Sequence, residues 1–179
     1  MNDPIEFQRE TSVVQIPDGT ALTVPAGTRG YVMQLLGGNY TLRLDTGHLV
    51  RVAGTDAPAI GLEVPAEALA PATGGNIEEQ VWAGLRTCFD PEIPVNIVDL
   101  GLIYGLAVEP APGGEGQIVK VTMTLTAPGC GMGQVLKDDV EHKVRAVPGV
   151  FDAQVELTFD PPWGPDRMTE EAQLELGFY

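Results

Sequence analysis

The sequence predicts an α/β (α+β) sandwich domain, built as helix, strand, strand, helix, strand around a mixed sheet and preceded by a small all-β domain. Three observations carry this. Residues 118–126 alternate, with Val119, Val121, Met123 and Leu125 on one face and Lys120, Thr122, Thr124 and Thr126 on the other. That is the period of a half-buried strand. Directly after it, Met132, Leu136, Val140, Val144 and Val147 recur at helical spacing, the apolar stripe of an amphipathic helix. The first part of the chain instead breaks into short apolar runs, with turn signals about every eight to ten residues, the texture of an all-β unit.

Residues 1–10 are polar and read as a loose end. Val13, Val14 and Ile16 then precede Pro17-Asp18-Gly19, and Leu22 and Val24 precede Pro25-Ala26-Gly27. The run from Tyr31 to Leu36 precedes Gly37-Gly38-Asn39. Tyr40, Leu42 and Leu44 alternate with Thr41 and Arg43, and Asp45-Thr46-Gly47 leads into Leu49-Val50-Arg51-Val52. These runs are assigned to one all-β domain, residues 1–62, for which a barrel is one way to close. His48 follows a turn glycine and reads as a solvated turn residue. Residues 63–75 are rich in Ala, Pro and Gly and read as a linker.

The second domain is assigned to residues 76–165. Asn76 is a good N-cap and Glu79 can complete a capping box. Ile77, Val81, Leu85 and Cys88 follow at helical spacing, so Cys88 reads as core packing. Pro91 ends this helix near Phe89. Two prolines, Pro91 and Pro94, hold the next stretch extended, and Leu100 to Val108 reads as a buried strand. Asp90, Glu92 and Asp99 stand before and at its start. Turn capping accounts for an aspartate readily, and less well for Glu92 between two prolines. Residues 109–117 join this strand to the alternating one as an antiparallel hairpin. Pro148-Gly149 stops the second helix, whose charged face carries His142. Val155, Leu157 and Phe159 alternate with Glu156 and Thr158 in a last strand, ended by Asp160-Pro161-Pro162-Trp163. The tail, 166–179, reads as a short amphipathic helix carrying Leu174 and Leu176, or as loose.

Bulk properties exclude some functions. A net charge of −15 on 179 residues and a pI near 4.2 argue against binding nucleic acid or an anionic membrane surface. With 44% hydrophobic residues the chain can build a core. The start lacks the basic and apolar regions of a signal peptide, and no apolar run approaches the roughly 18 residues of a membrane span. A soluble, cytoplasmic protein is the expectation. Cys88 and Cys130 form no CxxC pair, so the usual single-chain zinc site is absent, and so sparse a pattern suits a reducing compartment.

Cys130 lies on the glycine-rich strand-to-helix turn Leu125-Thr126-Ala127-Pro128-Gly129-Cys130-Gly131-Met132-Gly133. Backbone N–H groups at a helix N-terminus carry partial positive charge, which favours a thiolate, the form that attacks carbon and binds metal. A small buried cysteine capping the core fits the same position.

FDPEIPVNIVDLGLIYG, then VTMTLTAPGCGMG, then VELTFDPPW resembles the metal–sulfur cluster biosynthetic (PaaD/SufT-like) domain family over roughly residues 76–165. Three separate motifs in the right order make the match specific. The additional N-terminal β unit points to the SufT-type members rather than the shorter ones. In that family the signature falls on the positions that are Asp90, Pro91, Glu92, Asp99, Thr126, Cys130 and Trp163 here. Where many relatives place Pro after the Cys, this chain has Gly131, a more flexible turn.

The resemblance implies a non-enzymatic factor that assembles or delivers iron–sulfur clusters. Cys130 would be the metal ligand, and Asp90, Glu92, Asp99 and Thr126 would line the site of a transiently held iron–sulfur cluster. Its partners would be the iron–sulfur assembly machinery and apo-client proteins, and a homo-oligomer is an option because one thiolate cannot complete a cluster's ligand set. Two other readings stay open. One is a metal-free adaptor. The other is a Cys-dependent enzyme or oxygenase-complex component, which lacks an evident base, since His48 is in the other domain and His142 is three helical turns past the cysteine.

Overall fold

In the computed structural model, which describes residues 3–69 and 74–178, the chain divides into two units, Met1–Ala70 and Pro71–Tyr179. The expected linker over 63–75 falls partly on residues 70–73, outside the described residues, while Ala66–Leu69 forms a single helical turn, α1.

The apolar runs of the first unit are strands: β1 (Pro4–Glu6), β2 (Thr11–Ile16), β3 (Ala21–Val24), β4 (Arg29–Leu36), β5 (Asn39–Leu44) and β6 (Leu49–Val52). They form one sheet in the order β1-β4-β5-β6-β2-β3, with every pairing antiparallel. β1 and β3 are its two ends, with no pairing between them among the described residues. Gly47, at φ +90°, lets the β5–β6 hairpin close, and its N–H donates to Leu44 O at 2.8 Å. Val13, Leu42, Val50 and Val52 build the core. The start of the chain differs from the loose end expected. Ile5 and Phe7 are buried, and Phe7 exchanges backbone hydrogen bonds with Thr28 O and Gly27 N. Two apolar residues in a polar stretch are too few for a sequence pattern, yet they complete a thin core.

The second unit opens with α2 (Ile77–Leu85). Its capping box forms as expected: Glu79 N donates to Asn76 Oδ1 at 2.9 Å, and Asn76 N donates to Glu79 Oε2 at 3.1 Å. Such a cap contributes about 1 kcal/mol. The helix stops at Leu85, short of Phe89, because the chain tightens there. Thr87 and Cys88 donate to Gly84 O and Leu85 O, and Phe89 must be extended to bridge Asn96. Cys88 is fully buried all the same, in the turn after the helix.

β7 (Ile103–Pro110) and β8 (Gln117–Met123) form the antiparallel hairpin, and β9 (Val150–Leu157) lies parallel to β8, giving a mixed sheet with β8 central. Two sheets, one of them mixed and three-stranded, make this an α+β chain. The β7 strand starts at Ile103 rather than Leu100. Gly101, at φ +72°, turns the chain, and Leu102 N donates back to Ile97 O, so Leu100 and Leu102 are buried in a turn.

α3 (Gly133–Arg145) buries Leu136, Val140 and Val144, the expected stripe, and carries the crossover from β8 to β9. His142 is exposed, as read. The Arg145 guanidinium donates to Asp152 Oδ1 at 2.8 Å, tying the helix end to β9 and holding that carboxyl below its ordinary range. Val119, Val121 and Met123 face the core, while Lys120 on the opposite face pairs with Glu109 at 2.8 Å.

β9 ends at Leu157, which leaves Phe159 exposed. The last segment forms a 3-10 turn, Pro165–Arg167, and α4 (Glu170–Leu176). It is anchored by Met168 and Ala172, both buried in the same core as β8, while Leu174 is 64% exposed.

Candidate functional site

The topology gathers three loops at one end of the three-stranded sheet. β8 and β9 are parallel and finish there, and antiparallel β7 begins there. Loops at the C-terminal ends of parallel strands are where open α/β sheets bind ligands. Hydrogen bonds fix the three loops together. Thr124 N donates to Leu102 O and Thr158 N to Met123 O, both at 2.8 Å. Tyr104 Oη donates to Pro161 O at 2.9 Å, and Trp163 Nε1 to Leu100 O at 2.7 Å. The segments DLGLIYG, LTAPGCGMG and FDPPW, far apart in the chain, therefore meet at this edge.

Cys130 sits on the loop leaving the central strand. Leu125 and Met132 are buried and pin the loop at both ends, while Ala127, Pro128, Gly129 and Gly131 are exposed between them. Gly129 takes φ +76°, with open space where a side chain would be. At Gly133 a Cβ would come 2.5 Å from Leu125 Cδ1, so glycine lets the helix start close against the strand end. Gly133 N donates to Cys130 O at 3.0 Å, and no side chain caps α3. The result is a free, half-buried thiol at the junction of strand and helix. Cys88 is its opposite: fully buried, with Sγ 3.7 Å from Gly84 O.

This contrast predicts an order of reactivity. With limiting iodoacetamide under native conditions, peptide mapping should find Cys130 alkylated at least about tenfold faster than Cys88, since a sealed thiol reacts only on opening of the unit. Equal rates would contradict the burial described.

The carboxylates divide. Asp90 is buried and its Oδ1 accepts from Glu92 N at 2.9 Å, an Asx turn before Pro94. Asp99 Oδ2 accepts from Asn96 Nδ2 at 2.6 Å, while Asn96 Oδ1 accepts from Val98 N and Asp99 N. Asp99 O also accepts from Thr169 N at 2.9 Å. Both aspartates thus shape the loop that meets the Cys130 strand. Glu92 is exposed, and its carboxylate has no hydrogen bond or ion pair among the described residues. Thr126 is half-buried, four residues before the cysteine. Among the described residues, no three of His, Cys, Asp and Glu come together as a group able to hold a metal ion.

Three residues of this edge escape the sequence reading. Thr124 lies on the polar side of the alternating strand, yet it is fully buried and its Oγ1 has no hydrogen-bond partner among the described residues. Gly101 is a turn within an apolar run, and a Cβ there would lie 2.1 Å from Arg167 O. Arg167 stacks its guanidinium 4.5 Å over the Tyr104 ring, closing the last segment onto β7. Gly101 alone had a signal, a glycine between two leucines where a strand should be continuous.

The family described as iron–sulfur cluster assembly protein matches residues 78–157. The chain is 52% identical over 101 residues to the "Fe-S protein maturation auxiliary factor" of Porphyromonas gingivalis, covering 56% of this chain and 91% of that protein. It is 34% identical to the "Fe-S protein maturation auxiliary factor YitW" of Bacillus subtilis, covering 56% of this chain and 94% of the relative. It is 39% identical over 88 residues to the "Fe-S protein maturation auxiliary factor SufT" of Staphylococcus aureus, covering 49% and 94%. About half of this chain accounts for nearly all of each relative, so none has room for the first unit as well. The likeness to SufT rests on the shared segment and not on the N-terminal β unit, which that relative has no length to contain.

Proposed function

The chain belongs to the iron–sulfur cluster assembly protein family, and we propose that its part in iron–sulfur protein maturation is to hand clusters to apo-client proteins, with Cys130 as the chain's own ligand to the cargo. The observation that carries this reading is the placement of Cys130, half-buried at the sheet end where the three signature segments meet, while Cys88 is sealed in the core. A soft thiolate suits iron bound to sulfide. Clusters take four protein ligands, and among the described residues no three His, Cys, Asp or Glu side chains gather as a metal site, so one chain does not complete the set. The remaining ligands then come from a second copy, a client or a small thiol.

Such incomplete ligation suits a carrier. An incoming client thiol gives its proton to solvent and forms one iron–sulfur bond as the bond to Cys130 breaks; Cys130 leaves as a thiolate that takes up a proton, and no electron changes hands. Asp90 and Asp99 hold the neighbouring loop in shape, Glu92 stands free for an oxygen contact to cargo or client, and Thr126 lies on the same loop as the thiol. A non-enzymatic role is in keeping with relatives named as maturation auxiliary factors. Two cysteines outside any disulfide suit the reducing cytoplasm. No helix among the described residues is long and apolar enough to cross a membrane.

Delivery is tested by loading the chain anaerobically and mixing it with an apo-ferredoxin and an iron chelator. Ferredoxin absorbance should recover despite the chelator, and the Cys130→Ser chain should give no more recovery than free iron and sulfide. Equal recovery from the parent chain and from free iron and sulfide would sink the delivery reading.

A further inference from the structure

We propose that the outer face of the first unit's sheet is a docking surface, centred on Arg43, for a partner-protein segment that carries carboxylates among aliphatic side chains. The reading is independent of the cluster site. Cross-strand register sets Tyr31 opposite Arg43, Arg43 opposite Leu49, and Leu49 opposite Ile16. Residues directly opposite share a face of the sheet, so these four form a row across β4, β5, β6 and β2, of which Tyr31, Arg43 and Leu49 are exposed and Ile16, at the end of the row, is buried. Their neighbours along the strands, Val32, Leu42, Leu44 and Val50, point into the core, so the row lies on the other face. Tyr31 is 40% exposed and Leu49 38%, and Met33, the bulged residue between Val32 and Gln34, is exposed beside them.

The charges single out Arg43. Arg9 pairs with Asp56 and Arg29 with Glu6, each at 3.0 Å, whereas Arg43 is exposed and has no carboxylate partner or hydrogen bond among the described residues. An unpaired guanidinium between an aromatic and an aliphatic residue, with Met alongside and no Lys, has the composition of an interface core.

Binding rather than chemistry fits this unit. Both cysteines belong to the other unit, and its histidine, His48, is exposed in a turn against Thr46 Oγ1. The three maturation factors described above consist almost wholly of the segment they share with this chain, so the first unit is additional to what they carry. Complementarity then chooses the occupant. A guanidinium takes a carboxylate bidentately, and Tyr31 and Leu49 on either side require apolar neighbours around that carboxylate. One unpaired arginine in a unit where carboxylates outnumber cations is no phosphate-backbone site. A second copy set about a two-fold axis here would oppose Arg43 with its own like charge.

The test uses the full chain and fluorescence anisotropy with three probes: a short labelled peptide of Leu, Val and Glu, the same peptide with Lys for Glu, and an oligo-dT of matched charge. The acidic peptide should bind, and Arg43→Glu should weaken it by about tenfold or more. Arg43→Lys should restore only part of the affinity, and the paired Tyr31→Ser and Leu49→Ser change should weaken it comparably. All three positions are exposed, so an unchanged melting curve serves as the folding control. The proposal is overturned if Arg43→Glu binds the acidic peptide as the parent does, if the Lys peptide or the oligo-dT binds better, or if sedimentation shows a dimer that these variants dissociate.

Discussion

Replacing Gly101 by Ala should destabilise the C-terminal unit by about 3 kcal/mol or more and free its last segment from the sheet. Two costs add. Gly101 takes φ +72°, a left-handed conformation that costs an L-residue about 1–2 kcal/mol. The larger cost is steric. The new Cβ would stand 2.1 Å from Arg167 O and 2.7 Å from Arg167 C, which are backbone atoms that cannot rotate aside. The segment around Arg167 must move, and with it go the Thr169 N–H to Asp99 O hydrogen bond, the burial of Met168 and the Arg167–Tyr104 stack. Gly113 provides the control. It takes φ +98° with nothing within 4 Å of its missing Cβ, so Gly113→Ala carries only the backbone cost. Urea unfolding of both variants separates the two costs. Equal destabilisation, within about 0.5 kcal/mol, would show that the last segment does not press on the 99–104 loop as described.

Gly101 also shows where sequence reading stops. An apolar run looks the same whether it fills a strand or a buried turn, so Leu100 and Leu102 read as strand although hydrogen bonds to Asn96, Ile97 and Val98 turn the chain, and the distant Arg167 leaves room only for glycine at 101. The last helix is legible in part. It forms, and Leu176 packs against the core as expected, yet Met168 and small Ala172 are the residues buried there and Leu174 faces water. Where the signal is local and periodic, reading succeeds: the alternation of β8, the stripe of α3 and the Asn76–Glu79 box each depend on neighbours a few residues away. The Cys130 turn was legible for the same reason, since the period switches from two to 3.6 across a glycine-rich gap. What no local pattern contains is that β9 returns parallel beside β8, and that this brings FDPPW and DLGLIYG to the same edge.

The largest functional effect is expected at Cys130. Serine is nearly isosteric and the site is half-buried, so Cys130→Ser should leave the fold intact. Its hydroxyl is a hard, weakly acidic ligand that does not replace a thiolate on iron bound to sulfide. With one thiolate per chain, losing it removes this chain's hold on the cargo, and cluster content should fall by about tenfold or more. Cys88→Ser separates this from general damage. It puts a hydroxyl into a fully buried apolar position, at a stability cost of about 1–3 kcal/mol, without touching the sheet end. That variant should load normally and melt earlier.

The most direct test is anaerobic reconstitution with iron and sulfide, measuring iron and sulfide per chain together with sedimentation of the loaded species. The parent and Cys88→Ser chains should take up a cluster and shift to a dimer or a thiol-capped complex, because the cargo must be shared, while Cys130→Ser should show neither cluster nor shift. A Cys130→Ser chain that loads as fully as the parent would contradict Cys130 as the ligand.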